Sequence, residues 1–397
     1  MDDAIPPATP PPPAYSPPPP PVIVPPSQTR PAKRGRGWMI FAIILVVLLG
    51  LSVLVNLCLF AGGVMRTGRG TVAVNGTREA GPRLEETILE DNSAFSKIAV
   101  IDVNGIITSS PLNQQGYSMV DVIKSQLDRA RDDRRVKAVI LKVDSPGGEV
   151  LASDEISDAL KNFQDGKESN GADQQQSKAK PVIVSMGNLA ASGGYYISAP
   201  CRYIVANKMT LTGSIGVIMH GWNYRALMDK VGIAPEVYKS GKFKDMLSGS
   251  REPGEIPPEE HAMVQSLIDE VYGDFKQVVH DGRDAAHQKN QEDGHALVDN
   301  WADYADGRVL SGTEALKLGF VDRIGNFQTA VESAKKIAAI SGGANLIRYD
   351  QRYDLADFFH MFGESKSDAK SVKVDLGFDA PKLQEGHLYF MSPVLSH

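Results

Sequence analysis

Ser192 stands in a setting that favours nucleophilic chemistry. It lies between Ala190–Ala191 and Gly193–Gly194, and the apolar segment Val182–Val184, typical of a strand, precedes it. Small neighbours allow a substrate backbone to approach closely, and glycines permit a sharp bend between a strand and a helix. A hydroxyl at the start of a helix also lies near free backbone N–H groups, which favour a developing oxyanion. A nucleophile and a glycine-rich turn with a serine N-cap explain this segment alone equally well.

A second pair of glycines follows another predicted strand. The β-branched and apolar run Val136–Val143 is typical of a buried strand, and it leads to Gly147 and Gly148 before a polar, helix-like stretch begins at Glu149. Two glycines between a strand and a helix present free backbone amides, which can form an oxyanion hole. An ordinary turn explains one such pair by itself. Two such pairs in one alternating pattern of strands and helices favour a catalytic site.

A serine nucleophile needs a base, and the sequence offers histidine or lysine. None of the eight histidines lies in a glycine-bracketed or strand-end context, and His220 is the best placed of them. A desolvated lysine loses its proton more readily and can act as the base for a serine. Lys239, Lys242 and Lys244 lie close together in sequence beside a glycine. The composition of this segment alone is that of a solvated basic loop. The chain has no His-x-x-x-His pair and no Cys/His cluster, so we predict neither a metal nor another cofactor.

Four motifs, taken in order, resemble those of the signal peptide peptidase A family, the membrane-bound Ser/Lys proteases of the ClpP/crotonase superfamily. Their order and spacing are similar to the family's over roughly Lys97 to Lys336, and an ordered set is far more specific than one glycine loop. The motifs are Asp144–Gly148, Ala190–Tyr196, Thr212–Val217 and Ser240–Asp245.

The resemblance implies a role for five residues. Ser192 corresponds to the nucleophile, Lys244 to the general base and Ser214 to the hydroxyl that orients the lysine. Gly147 and Gly148 correspond to the residues whose backbone N–H groups hold the oxyanion. The resemblance also implies that the short, single-copy form seen here works as a homo-oligomeric ring in which neighbouring protomers complete each active site.

From Lys97 onward, predicted strands alternate with predicted helices. Such alternation implies crossover connections and a mostly parallel sheet, an α/β fold of the ClpP/crotonase-like class. Strands are expected at Ile98–Val103, Val136–Val143, Val182–Val184 and Tyr203–Ala206, and helices at Met119–Arg131, Ala152–Phe163, Tyr224–Val231, Pro258–His280, Gly312–Leu318 and Thr329–Ile340.

The N-terminal region predicts a membrane anchor. Fourteen of the 25 prolines fall between Pro6 and Pro31, so residues 1–37, which end in a basic cluster, are expected to be a disordered arm. Trp38–Phe60 carries no charge and is long enough to cross about 30 Å of hydrocarbon at about 1.5 Å per residue. The basic cluster directs the N-terminus to the cytoplasm. We therefore predict an uncleaved single-pass anchor at residues 38–64 in the cell membrane, with the catalytic domain outside the cytoplasm.

The rest of the chain divides into a linker at 65–96, a peptidase domain at 97–340 and a tail at 341–397. The end of the tail, from Leu388 to Leu395, is largely apolar. Adding a strand to a neighbour is one expected use of this end, and docking in a substrate groove is another. The net charge of −6, with basic residues concentrated only beside the predicted anchor, predicts no nucleic-acid partner.

These observations predict a membrane-anchored serine endopeptidase that cleaves apolar peptides, such as signal-peptide remnants, outside the cytoplasm. A crotonase-like acyl-transfer enzyme could use similar backbone amides, but the predicted export topology argues against it because coenzyme A is a cytoplasmic metabolite. A non-catalytic membrane scaffold with a proline-rich recruiting arm is the other alternative. It leaves the joint presence of Ser192, Ser214 and Lys244 unexplained.

Overall fold

The computed structural model describes residues 41–53, 81–111, 116–167, 179–351 and 388–391. The chain forms two compact units, Met1–Arg78 and Glu79–His397. In the first unit, residues 41–53 form helix α1, and the rest of the predicted anchor and the proline-rich arm lie outside the described residues. Within the described ranges, no helix has both the length and the apolar character that crossing a membrane requires.

The second unit is built on a twisted sheet with helices around it. Its strands are β1 (Leu84–Glu90), β2 (Lys97–Asn104), β3 (Val136–Ser145), β4 (Gly147–Glu149), β5 (Val182–Ala191), β6 (Tyr203–Ala206), β7 (Leu211–Gly213), β8 (Val309–Ser311), β9 (Arg323–Ile324), β10 (Asn345–Gln351) and β11 (Tyr389–Met391). Its helices are α2 (Met119–Asp132), α3 (Val150–Asp165), α4 (Gly193–Ser198), α5 (Arg225–Lys230), α6 (Pro258–Asn290), α7 (Gly312–Lys317) and α8 (Phe327–Ile337).

The main sheet has the strand order β1-β10-β2-β3-β5-β6-β9, with β7 pairing β5 and β8 pairing β7. The pairs from β10 through β9 along this order are parallel, as is β5 with β7, whereas β1–β10 and β7–β8 are antiparallel. The predicted α/β fold with a mostly parallel sheet is therefore confirmed. A second, two-stranded sheet pairs β11 with β4.

Both faces of the main sheet are buried, as expected for parallel strands. On one face, Leu127 of α2 and Leu160 of α3 belong to the same core cluster as Leu141 of β3. On the other face, Ala334 of α8 packs in a cluster with Ile140. Ile140 and Leu141 are adjacent in sequence, so the alternation of side chains along a strand divides them between the two cores.

The structure extends several of the predicted elements. Strand β5 continues to Ala191 rather than ending near Val184, so Ser192 follows the strand directly. Helix α6 continues to Asn290, beyond the expected end at His280. Strands β1 and β10 were not expected, and both lie outside residues 97–340, so the sheet extends past those bounds on each side.

Candidate active site

Ser192 occupies a strained junction between β5 and α4. Its φ is 55° and its ψ is −118°, values that residues other than glycine rarely adopt. The Ser192 N–H donates to Gly213 O at 2.8 Å, and the Tyr196 N–H donates to Ser192 O at 2.8 Å. Surrounding hydrogen bonds therefore hold the residue in this conformation. Strain of this kind is concentrated at functional sites.

The Ser192 hydroxyl is buried and has no hydrogen-bond partner among the residues that the structure describes. The residue is 0% exposed, and its Oγ makes no hydrogen bond to any described residue. A buried polar atom without a partner costs free energy, so most such atoms are hydrogen-bonded. The hydroxyl of Ser192 is therefore available to a group that the described residues do not supply.

The two glycine turns lie against each other beside Ser192. Parallel pairing of β3 with β5 sets Ser145 opposite Ala190, which aligns the ends of the two strands. A Cβ added to Gly193 would lie 3.1 Å from Gly148 N, and one added to Gly147, whose φ is +101°, would lie 2.6 Å from Gly193 N. Contacts this close require glycine at both positions.

The geometry favours Gly193 over Gly147 as the second oxyanion amide beside Gly148. Gly193 begins α4, and the first N–H groups of a helix have no partner inside it. Its amide directly follows Ser192 and faces the Gly147–Gly148 turn, so Gly193 and Gly148 form the candidate oxyanion pair. The Gly147 N–H instead donates to Ser145 Oγ at 3.1 Å. In the sequence, the position of Gly193 directly after Ser192, at the start of a helix, indicates this role for its amide.

Ser214 lies on the neighbouring strand end. Parallel pairing of β7 with β5 sets Gly213 opposite Ala191, and Gly213 O accepts the Ser192 N–H. Ser214 is nearly buried, also has a positive φ of 50°, and donates its N–H to Arg308 O at 2.7 Å. The structure thus brings Ser214 to the same end of the sheet as Ser192.

The structure does not bring Lys244 into hydrogen-bond contact with Ser192. Lys244 is exposed, in a series of turns after Gly241. The two other lysines of this segment form ion pairs with carboxylates: Lys239 Nζ lies 2.8 Å from Asp245, and Lys242 Nζ lies 3.5 Å from Glu259. The alternative base His220 is exposed as well. Within the described part of one chain, Ser192 has no hydrogen-bonded base.

The segment that carries Lys244, residues 221–250, exposes many apolar side chains. Trp222 is 77% exposed and Tyr238 is 88% exposed. Large exposed apolar patches mark interaction surfaces. We call residues 221–250 the lysine-bearing segment; its other exposed large apolar residues are Tyr224, Leu227, Val231, Ile233, Val237 and Leu247.

Comparisons with known proteins bear on this site. The profile of peptidase family S49 matches residues 174–341, which include Ser192, Ser214 and Lys244. A protein of Synechocystis sp. named as a protease, slr0021, is 38% identical over 248 residues, 62% of this chain and 76% of that protein. A protein of Enterococcus faecium named as signal peptide peptidase SppA is 35% identical over 67% of this chain and 70% of its own length. The chloroplastic serine protease SPPA of Arabidopsis thaliana is 31% identical over 62% of this chain and 33% of its own length.

Proposed function

This chain belongs to peptidase family S49, the serine endopeptidases related to signal peptide peptidase A, and we propose that it cleaves apolar peptides with a Ser192–Lys244 dyad at the outer face of the cell membrane. The observation that carries this proposal is the environment of Ser192. The residue is strained and buried, its hydroxyl has no hydrogen-bond partner among the described residues, and the amides of Gly148 and Gly193 lie beside it. This arrangement suits acyl transfer to a serine hydroxyl.

The proposed reaction follows the logic of other serine proteases. Lys244 in its neutral form takes the proton of Ser192 as Oγ attacks the peptide carbonyl, and the two amides hold the oxyanion. The tetrahedral intermediate collapses to an acyl-enzyme, and Lys244 gives its proton to the leaving amine. Lys244 then activates a water molecule that releases the acyl group. Ser214 orients the amine of Lys244.

We infer that a neighbouring copy of the chain supplies Lys244. The support is that Lys244 is exposed, that Ser192 Oγ has no hydrogen-bond partner among the described residues, and that the lysine-bearing segment exposes many apolar side chains. An interface that buries the lysine-bearing segment would also desolvate Lys244, which favours its neutral form. A head-to-tail contact of this kind closes into a ring when the rotation permits.

Mixing two inactive variants tests this arrangement. We expect purified Ser192→Ala and Lys244→Ala proteins each to lose nearly all cleavage of an apolar fluorogenic peptide. Subunits mixed in equal amounts and reassembled should recover about a quarter of wild-type activity, since about a quarter of the shared sites receive both intact residues. Lys242→Ala is the matched control and should keep wild-type activity.

The outcomes separate the parts of the proposal. Inactive single variants without recovery on mixing would mean that one chain supplies both residues. Full activity of Lys244→Ala would exclude this lysine as the base. A folded wild-type protein that cleaves none of the peptides would refute the peptidase.

The membrane anchor and the topology are part of the same proposal. They rest on the uncharged run Trp38–Phe60 and the basic residues before it, of which Arg34 and Arg36 are the nearest. Deletion of residues 38–60 should move the protein from the membrane fraction to the soluble fraction. In intact cells, a protease added outside should digest the catalytic domain of the full chain but not a tag at its N-terminus.

A further inference from the structure

A cavity lies at the end of the sheet opposite Ser192. It has a volume of about 260 Å³ and lies between the start of β6, β9, the end of α6 and the second half of α8. Tyr203, the first residue of β6, pairs with Ile183 near the start of β5, whereas Ser192 follows the end of β5. At about 3.3 Å per residue, β5 separates this cavity from Ser192 by roughly 30 Å. The cavity is therefore distinct from the candidate active site.

Positive charge is concentrated in the lining of this cavity. Four cationic side chains and one carboxylate line it, namely those of Arg202, Lys289, Arg323, Lys336 and Asp293. Four positive charges and one negative charge give the lining a formal charge of +3, although the whole chain carries −6. Cations held around one small cavity repel each other, so an anion among them is stabilised. We call this the basic cavity.

The dipoles of the neighbouring helices explain only half of these cations. Lys289 and Lys336 lie in the last turns of α6 and α8, where the negative end of the helix dipole favours a cation. Arg202 directly precedes β6, and Arg323 is the first residue of β9, so neither completes a helix. Among the described residues, the side chains of Lys289 and Arg323 have no ion-pair partner. The structure thus leaves at least two cations of the basic cavity without a counter-charge.

Arg202 is held in a fixed orientation at the wall of the basic cavity. Its Nε donates to Asn290 Oδ1 and its Nη2 donates to Lys289 O, both at 2.7 Å. Asn290 Nδ2 donates in turn to Arg202 O at 2.7 Å. Partial burial lowers the pKa of Arg202, because burial disfavours its charged form. A partly desolvated and oriented cation attracts an anion more strongly than a cation in bulk water does.

Tyr203 adds a neutral donor to the basic cavity. The residue is 6% exposed and lines the cavity, and its hydroxyl has no hydrogen-bond partner within the described ranges. Burial raises the pKa of Tyr203, so the phenol keeps its proton and can donate it in a hydrogen bond. A nearly buried hydroxyl that lacks a partner costs free energy, and an acceptor in the cavity removes that cost.

The carboxylate in the lining can exchange for a ligand. Lys336 Nζ lies 2.7 Å from both carboxylate oxygens of Asp293, and the two side chains are 68% and 61% exposed. An exposed ion pair contributes little to stability. An incoming anion can therefore replace Asp293 as the partner of Lys336 at little cost.

We propose that the basic cavity binds a phosphate group between its four cations, with the Tyr203 hydroxyl as a further donor. A phosphate group carries close to two negative charges near neutral pH and offers three strong acceptor oxygens, which suits several cations and a phenol better than a single carboxylate does. The cavity is smaller than the roughly 300–1,000 Å³ of sites for drug-sized ligands, so it fits the phosphate group rather than a whole nucleotide. The group belongs to a small soluble molecule or to the headgroup of an anionic lipid. This binding does not depend on the role of Ser192.

Titration with inorganic phosphate tests the site in the full chain, purified in detergent at pH 7.5 and physiological salt. By calorimetry we expect wild type to bind phosphate with a Kd of about 1 mM or below, and acetate at equal ionic strength not to bind. Arg323→Gln, Lys289→Gln and Tyr203→Phe should each weaken phosphate binding about 3- to 10-fold. Lys335→Gln is the matched control, because it removes one positive charge from α8 outside the lining, and it should bind like wild type.

A variant that gains affinity gives a sharper test. Asp293→Asn removes the carboxylate from the lining and frees Lys336, so we expect it to bind phosphate about threefold more tightly or better. A purely structural role for these residues predicts no gain of affinity in Asp293→Asn.

Vesicles separate the two sources of the phosphate group. The full chain is placed in vesicles of phosphatidylcholine alone or of an equal mixture with phosphatidylglycerol, and its midpoint of thermal unfolding is measured with and without inorganic phosphate. A soluble ligand predicts that phosphate raises the midpoint equally in both vesicles. A lipid headgroup predicts that phosphatidylglycerol raises the midpoint of wild type more than that of Arg323→Gln, and that added phosphate then has less effect. Either result supports the site and identifies the source.

Four results would overturn the inference. They are the absence of saturable phosphate binding by wild type, equal affinities of Arg323→Gln and Lys335→Gln, binding of acetate as tight as that of phosphate, and no gain in Asp293→Asn. If Arg323→Gln does not fold, the comparison passes to Lys289→Gln, whose side chain is exposed and forms no ion pair with a described residue. Phosphate binding without any cleavage of peptides would leave the basic cavity assigned and refute only the peptidase.

Discussion

The buried ion pair between α6 and the sheet allows a quantitative test of what holds the catalytic domain together. Arg283 and Asp322 are both 0% exposed, and the Arg283 guanidinium donates to Asp322 Oδ1 at 2.6 Å and to Gly319 O at 3.2 Å. Asp322 Oδ2 also accepts the Ile204 N–H at 2.8 Å. Arg283→Met removes the cation and leaves the carboxylate buried.

The exposed pair Arg308–Asp306 gives the matched control. Its closest contact is also 2.6 Å, but its side chains are 47% and 51% exposed. Removing one partner of a buried pair costs about 3–5 kcal/mol, whereas an exposed pair contributes about 0–1 kcal/mol. At roughly 2–4 °C per kcal/mol, Arg283→Met should lower the Tm by roughly 6–20 °C and Arg308→Met by at most about 4 °C.

Thermal unfolding of the purified full chain, followed by circular dichroism, measures both shifts. Adding Asp322→Asn to Arg283→Met should recover a large part of the loss, since a neutral amide keeps an acceptor for Ile204 without a buried charge. Equal shifts for Arg283→Met and Arg308→Met would refute the argument that burial decides the energy of the pair. No recovery in the double variant would show that the lost contact with Gly319, rather than the stranded charge, dominates.

Three further predictions concern the site and the pH dependence of stability. Gly193→Ala would put a Cβ 2.7 Å from Ser153 Oγ, so we expect kcat/KM for peptide cleavage to fall about 100-fold. Gly254→Ala is the control, because no atom lies within 4 Å of the added carbon, and it should match wild type in the same peptidase assay. Ser214→Ala should lower kcat about 10- to 100-fold with little change in KM and shift the pH–rate profile; an unchanged profile would contradict an orienting role. Burial lowers the pKa of Lys180 from 10.5 to about 8. At a pH between these two values the unfolded chain binds more protons than the folded chain, so the free energy of unfolding rises with pH. Urea unfolding at pH 7.5, 8.5 and 9.5 should show that Lys180→Met weakens this rise, and identical slopes would refute it.

Apolar runs predicted the central strands because these strands are buried on both faces. Val136–Val143 and Tyr203–Ala206 have few polar residues, and the observed strands cover them. Strand β1 was not predicted, because its sequence, LEETILE, is largely exposed at the edge of the sheet. A strand without a buried face does not need an alternation of apolar and polar residues. The extension of β5 to Ala191 depends on pairing with β3 and β7, which local composition does not encode.

Local sequence patterns predicted the parts of the candidate site that directly follow a parallel strand. Ser192 and the Gly147–Gly148 turn follow parallel strands, and parallel strands bring their carboxyl ends to one edge of a sheet. The position of Lys244 depends on turns and on contacts beyond a single chain. The pairing of Leu388–Met391 with β4 joins segments more than 230 residues apart in sequence, which no local pattern predicts.

The edge of the sheet at β1 has a consequence for how copies of this chain can meet. An open edge is a template on which another strand can add, and charged side chains discourage such addition. Glu85 and Glu90 are exposed on β1, so two β1 edges brought together would set like charges side by side. At the far end of the strand order, β9 has only two residues, too short a template for a neighbour. Extension of the sheet from copy to copy through the β1 and β9 edges is thus disfavoured at both ends of this strand order.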